Sequence, residues 1–228
     1  MNEKEHNMSA TLGHIHYWLY KKIQLIVTRE QLIADRTRTV IDSLSDELHQ
    51  MSLDTYGAPI DPTTPLETII DHNNIHGWLS KQIQIASVRE ATFIKDLLDC
   101  VDGNEALPTI SAILASFAVQ GKACAAIAKE QLSPVTAETI YKELQNFYVN
   151  GMPCDGGDQI VTQTADTFSW VGNHRLQLPY WKTAGVDPQF MALAYQTWFE
   201  SFVKELNPSH TFTVTKDNGE PIYTIQKE

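Results

Sequence analysis

IHYWLYKKIQLIVTRE, residues 15–30, returns at residues 75–90 as IHGWLSKQIQIASVRE, a constant offset of 60 positions. Nine of sixteen aligned residues are identical, among them His16/His76, Trp18/Trp78, Leu19/Leu79, Gln24/Gln84, Arg29/Arg89 and Glu30/Glu90. Unrelated segments of ordinary composition share roughly one residue in sixteen. The stretch therefore reads as an internal duplication.

Working outward, Leu12, Ile15, Leu19, Ile23, Ile26, Ile33, Val40, Leu44 and Leu48 recur at steps of three, four or seven with no Gly or Pro after Gly13. This predicts one amphipathic helix from about Thr11 to Met51, about 38 residues and about 57 Å long. DTYGAPIDP, 54–62, is a turn, and Thr64-Pro65 with Glu67 starts a second helix ending at Asp102-Gly103. Two such helices on a short connection form an antiparallel hairpin. A third helix, rich in small residues such as Ala115, Gly121 and Ala125, is predicted from Pro108 to Gln131, and a fourth from Ser133-Pro134 to Val149. Beyond the GMPCDGG loop, Gln159 to Trp170 reads as helical, and Asp187-Pro188 opens a last helix through Leu206. The tail switches to a period of two around Asp217-Asn218-Gly219, a β-hairpin signal. The predicted fold is an all-α, up-and-down bundle of ferritin-like architecture with a short C-terminal β-hairpin. A flexible leader covers 1–10, the bundle 11–206, and the hairpin 207–228 packs on the bundle or on another subunit.

Composition narrows the function classes. The chain has 228 residues, 17 Lys plus Arg against 28 Asp plus Glu, and a formal net charge of -11. That disfavours nucleic acid and anionic membranes, which are bound through basic patches. Cys100, Cys124 and Cys154 are unpaired in spacing, as in a reducing compartment. The polar N-terminus has no signal-peptide core, and no apolar run approaches the roughly 20 residues of a membrane span. A cytoplasmic protein, assembled as a homo-oligomer, is expected.

Helical phasing sets Glu30 between Ile26 and Ile33 on the packed face, and Glu90 between Ala86 and Phe93. A buried carboxylate must be paired or neutralised. Arg29 and Arg89, each rotated about 100° from its neighbouring Glu, can lean across to the other helix. In an antiparallel hairpin with position 50 facing 65, the two carboxylates differ by about 7 Å along the bundle. Arg29, Glu30, Arg89 and Glu90 then form one central cluster, either a register lock or a binding site for a cofactor or small molecule. His72 and His76, one helical turn apart, have the spacing of two metal ligands, with His174, Glu47 or His49 as completing groups. The same antiparallel register sets His16 and His76 at opposite ends of the hairpin. His174 and Arg175, in the aromatic segment 167–181, form the polar end of a second candidate pocket. Cys154, flanked by Asp155 and Asp158, reads as a loop cysteine rather than a nucleophile.

A duplicated helix pair with interior Glu and His resembles the ferritin-like dinuclear carboxylate proteins in architecture, which implies a metal between the helices. The Glu-x-x-His ligand motif is missing, since Ile33 follows Glu30 by three and Phe93 follows Glu90 by three, which argues against a dinuclear iron site. Its sole occurrence is Glu3 to His6, in the leader. In histidine spacing, His16 with His72-x-x-x-His76 is similar to the DinB-like bundles, which implies one divalent metal on those three residues. The expected function is a bundle holding a metal ion or small ligand around the duplicated His...Arg-Glu motif. The alternatives are an assembly protein in which the cluster only fixes register, and a metal-dependent enzyme using His72, His76 and His174.

Overall fold

In a computed structural model describing residues 12–130 and 133–228, the expected first helix breaks at Asp42. Helix α1 covers His14–Ile41 and α2 covers Ser43–Tyr56, and the chain reverses between them. Asp42 adopts φ 48° and ψ -132°, a region that glycine enters without a Cβ penalty. The reversal is held by Ser45 Oγ, which donates to the Ala34 carbonyl at 3.1 Å and lies 2.7 Å from Thr37 Oγ1. No Gly or Pro marks this turn, so periodicity carried the sequence reading straight through it.

The break changes everything downstream. The second expected helix also divides, into a short α3 over Leu66–Ile69 and α4 over Ile75–Cys100. Asn74 caps α4, its Oδ1 accepting from the Gly77 amide at 3.0 Å. Tyr17 reaches Glu67 at 3.2 Å, so the connection returns the chain to the level at which α1 began. Helix α4 then runs parallel to α1, not antiparallel: His16 meets His76, Arg29 meets Glu90, and Arg89 meets Glu30. The antiparallel register and the placement of His16 and His76 at opposite ends are both overturned.

Helix α5, Gly103–Lys129, comes back down along α1. By length and composition it is apolar enough to cross a membrane, contrary to the sequence reading, yet it packs in this fold against α1 and against α8, Pro188–Leu206. Its small residues permit a close approach, for a Cβ on Gly121 would stand 2.5 Å from the Trp198 carbonyl oxygen. Helix α6 spans Ala137–Phe147, capped by Thr136, and α7 spans Leu178–Ala184.

The segment expected to be helical from Gln159 to Trp170 is a β-hairpin, β1 over Ile160–Gln163 and β2 over Thr167–Val171. Its β-branched run of Ile160, Val161, Thr162, Thr164 and Thr167 favours extended backbone. The terminal hairpin, β3 His210–Asp217 and β4 Glu220–Lys227, pairs through β4 with β2, giving one antiparallel sheet of order β1-β2-β4-β3. Its apolar side packs on α8, where Trp170, Phe199, Phe212 and Tyr223 form edge-to-face and tilted pairs. The chain is thus mostly helical, with a small antiparallel sheet toward the C-terminus. The leader expected over 1–10, and Gln131 at the expected end of the third helix, lie outside the described residues.

If the reversal is strained at Asp42, Asp42→Gly raises the stability by about 1 kcal/mol, seen as a higher urea midpoint, and Asp42→Val lowers it. A lower midpoint for the glycine variant would locate the constraint elsewhere.

Candidate functional site

Two apolar clusters fill the bundle. One joins Leu19, Ile23 and Ile26 to Ile75, Leu79 and Ile83; the other begins at Ile33 and Phe93 and extends through α5 and α8 to the sheet. Between them lies a layer of four buried charges, Arg29, Glu30, Arg89 and Glu90, none more than 4% exposed. Arg29 grips Glu90 in a two-point pair, Nε to Oε1 at 2.7 Å and Nη2 to Oε2 at 2.8 Å. Its remaining donors reach Gln120 Oε1 at 3.1 Å and the Tyr195 hydroxyl at 3.0 Å, and its plane lies 4.5 Å from the Phe117 ring centroid. Burial pulls the Arg29 pKa down, but Glu90 and Tyr195 outweigh it and hold the guanidinium above its usual range. For Glu90, burial pushes the carboxyl pKa up against the opposing pull of Arg29.

Arg89 makes the reciprocal pair. Its Nε donates to the Glu30 carboxylate at 2.9 and 3.0 Å and its Nη1 to the Gly57 carbonyl at 3.0 Å, while His49 Nε2 on α2 meets Glu30 Oε1 at 2.9 Å. Arg89 Nη2 and Tyr20 Oη are closed off from solvent and make no hydrogen bond of good geometry among the described residues, although Gln24 stands close enough to Tyr20 to interact weakly with its hydroxyl. Both residues line a half-open cavity of about 80 Å³ between α1 and α4, to which Tyr56 and Pro59 also contribute. Burial raises the Tyr20 phenol pKa; Gln24 beside it acts the other way and Asp61 adds to the rise.

The histidines divide. His16 Nε2 and His76 Nε2 stand 3.4 Å apart, whereas His72 is exposed with Nε2 2.9 Å from the Glu67 carbonyl oxygen. The Gly13 amide donates to His16 Nδ1 at 2.9 Å, which leaves the ring proton of a neutral His16 on Nε2, pointing at His76. No group of three or more His, Cys, Asp or Glu among the described residues has the arrangement to hold a metal. His72, His76 and His174 each have separate partners and form no triad.

His174 and Arg175 are neighbours with opposite fates. Both border a small cavity of about 30 Å³ beside Asp158, but Arg175 is exposed and donates to the carbonyls of Asp155 at 2.7 Å and Gly157 at 3.1 Å. His174 is buried at φ 49°, between the Tyr148 hydroxyl at 3.1 Å and the Tyr223 hydroxyl at 2.7 Å. Burial lowers its pKa to about 4. It ties the end of α6 to β4 inside the aromatic core.

The sequence reading missed Lys22 and Asp158. Lys22, 2% exposed, donates to the Gln145 carbonyl at 3.0 Å and sits 3.8 Å above the Trp18 ring, its pKa lowered to about 7 by burial against the opposing pull of Asp158. Asp158 accepts from Tyr141 at 3.0 Å and Gln145 at 2.9 Å, and burial raises its pKa. Lys22 was findable, since it falls three after Leu19 and four before Ile26 on the packed face. Asp158 was not, because it lies in a loop with no period. Exposed Cys154 occupies a 3₁₀ turn, Pro153–Asp155.

No known family, curated protein or solved structure matches the chain, so function must be read from this geometry.

Two outcomes follow from the site. Arg29→Met leaves Glu90 buried without its cation and costs on the order of 3–5 kcal/mol, while Arg29→Met with Glu90→Met recovers most of it. A double variant no more stable than the single, by urea unfolding, would give the weight to Gln120 and Tyr195. For His174 the folded pKa lies below the ordinary 6.5, so the unfolded chain takes the proton first. Its contribution is complete above about pH 6.5 and is lost as pH falls towards 4, on the order of 3 kcal/mol in all. His174→Gln keeps two hydrogen-bonding groups and removes that part of the acid dependence; an unaltered profile would exclude His174 as its source.

Proposed function

We propose that this chain binds a small molecule in its interior, in the cavity between α1 and α4 beside the Arg-Glu layer. The observation that carries it is the double position of Arg89. Its guanidinium is fixed by Glu30 and Gly57 as part of the charged layer, and the same side chain lines the cavity with Nη2 unpartnered among the described residues. A cavity with mostly apolar walls and one fixed polar residue is the ordinary form of a small-molecule site. With this goes the reading of α1 and α4 as products of an internal duplication, in an oligomeric bundle of ferritin-like architecture. The acidic composition and three free cysteines support a cytoplasmic setting.

The second reading is a divalent metal on His16 and His76. Two nitrogens on a tetrahedral zinc-like ion stand about 3.3 Å apart for bonds of about 2.05 Å, close to the 3.4 Å found. Against it, the metal must displace the His16 Nε2 proton, which requires His16 Nδ1 to give up the Gly13 amide. The enzyme reading has weaker support still, since its three histidines are scattered.

One experiment separates these. Protein purified without a histidine tag is weighed under native and denaturing conditions and its metal content measured. A native mass excess that disappears on denaturation, without stoichiometric metal, is expected, and Glu30→Gln should reduce it while the chain stays folded. Equal masses with no metal would leave the layer as a register lock; stoichiometric metal lost in His16→Ala would favour the second reading.

A further inference from the structure

Helix α5 carries no charged side chain between Glu105 and Lys122. Ile113, Phe117, Gln120 and Cys124 point into the bundle, yet less than half of the helix's most apolar stretch is buried. On the opposite side Leu107, Ser111, Ala115, Ala118 and Val119 follow one another at helical spacing, half-buried or exposed, and Leu107 is 74% exposed. Phe117 meets Tyr195 at 5.5 Å between ring centroids and Gln120 meets Trp198, so α8 runs parallel to α5 and sets Leu193, 45% exposed, at the level of Ala115. A surface helix ordinarily turns charged groups outward. A contiguous apolar face marks a contact surface instead. Resting on the reading of the chain as oligomeric, we propose that a second copy covers this face, with the two α5 helices antiparallel about a two-fold axis near Ala115.

Charge selects the occupant and its direction. Lys122 stands seven residues past Ala115 and Glu105 ten before it, about 10 Å and about 15 Å along the axis. Both are exposed, and neither makes an ion pair among the described residues. Antiparallel pairing brings Lys122 of each copy to within about 5 Å, along the axis, of the partner's Glu105, twice by symmetry. Parallel pairing would stack like charge on like and align the two helix dipoles. The net charge of -11 sets an anionic membrane against this face. Ser111, Ala115 and Ala118 let the axes approach to about 8 Å. A helix of 27 residues is about 40 Å long, so a strip about 10 Å wide covers about 400 Å² on each copy. The flank of α8 carrying Leu193 and Thr197 extends this towards the roughly 800 Å² a side of a stable interface.

The test is sedimentation equilibrium of the full chain and its variants, with circular dichroism to confirm folding. The unaltered chain should be a dimer. Ala115→Glu sets two carboxylates face to face at the axis and should leave a monomer. Lys122→Glu should raise the dissociation constant at least about tenfold, and adding Glu105→Lys should bring it back to within about threefold of the original. Should Ala115→Glu not fold, the exposed Lys122→Glu variant and its charge-swapped partner carry the test. A dimer indifferent to both Ala115→Glu and Lys122→Glu, or a loss at Lys122→Glu that the swap does not restore, overturns the assigned face while the oligomeric reading stands. A monomeric chain overturns both and leaves interior binding to the native-mass difference. A chain that floats with neutral phosphatidylcholine vesicles instead of dimerising assigns α5 to a membrane and overturns the proposal.

Discussion

Two reciprocal ion pairs between parallel helices, Arg29 with Glu90 and Arg89 with Glu30, set the geometry on which the rest of this fold depends. Four charges buried together are tolerable only if every one is matched, and the match requires α1 and α4 to stand side by side in one register. A slip of one residue along either helix turns a guanidinium away by about 100° and strands two carboxylates in an apolar interior. The surrounding hydrophobic contacts have no such selectivity. Ile23 and Ile83 pack well over several offsets, whereas a two-point Arg-carboxylate pair accepts one.

The charged layer also separates two apolar clusters of different character. Below it, branched aliphatic residues of α1 and α4 close on one another. Above it, α5 and α8 lead into an aromatic core that continues to the sheet through Trp170, Phe199 and Tyr223. Arg29 belongs to the second side, where Gln120 and Tyr195 complete its donors, and Arg89 belongs to the first, where one donor is left over. The two halves of a nearly symmetrical motif thus become chemically unequal. Tertiary neighbours, not the motif, make one a structural anchor and the other a candidate recognition group.

The pairing of Arg29 and Glu30 with their counterparts was legible in the sequence, yet by a route that was geometrically wrong. Helical phasing correctly set both glutamates on packed faces, and the need to neutralise them pointed to the arginines. The expected antiparallel hairpin brought the four residues to one level because they lie near the middle of both helices, where an antiparallel and a parallel register nearly coincide. His16 and His76, at the helix starts, expose the difference. Antiparallel helices would have parted them, and the parallel arrangement brings their nitrogens to 3.4 Å.

By itself, the sequence determined the mostly helical character, the last helix, the C-terminal hairpin and the identity of the four buried Arg and Glu residues of the charged layer. Each of these follows from local periodicity or turn chemistry, which a single segment carries within itself. Only the tertiary structure decided the reversal at Asp42, the strand pairing of 160–171 with the C-terminal hairpin, and the parallel course of α1 and α4. Asp42 has no Gly or Pro to announce it, and β2 gains its partner from β4, more than fifty residues away. The cavity beside Arg89 arises from that parallel packing and from Ala58, Pro59 and Ile60, which form another of its walls. Its walls come from three separate stretches of sequence, and bringing them together is a property of the assembled chain.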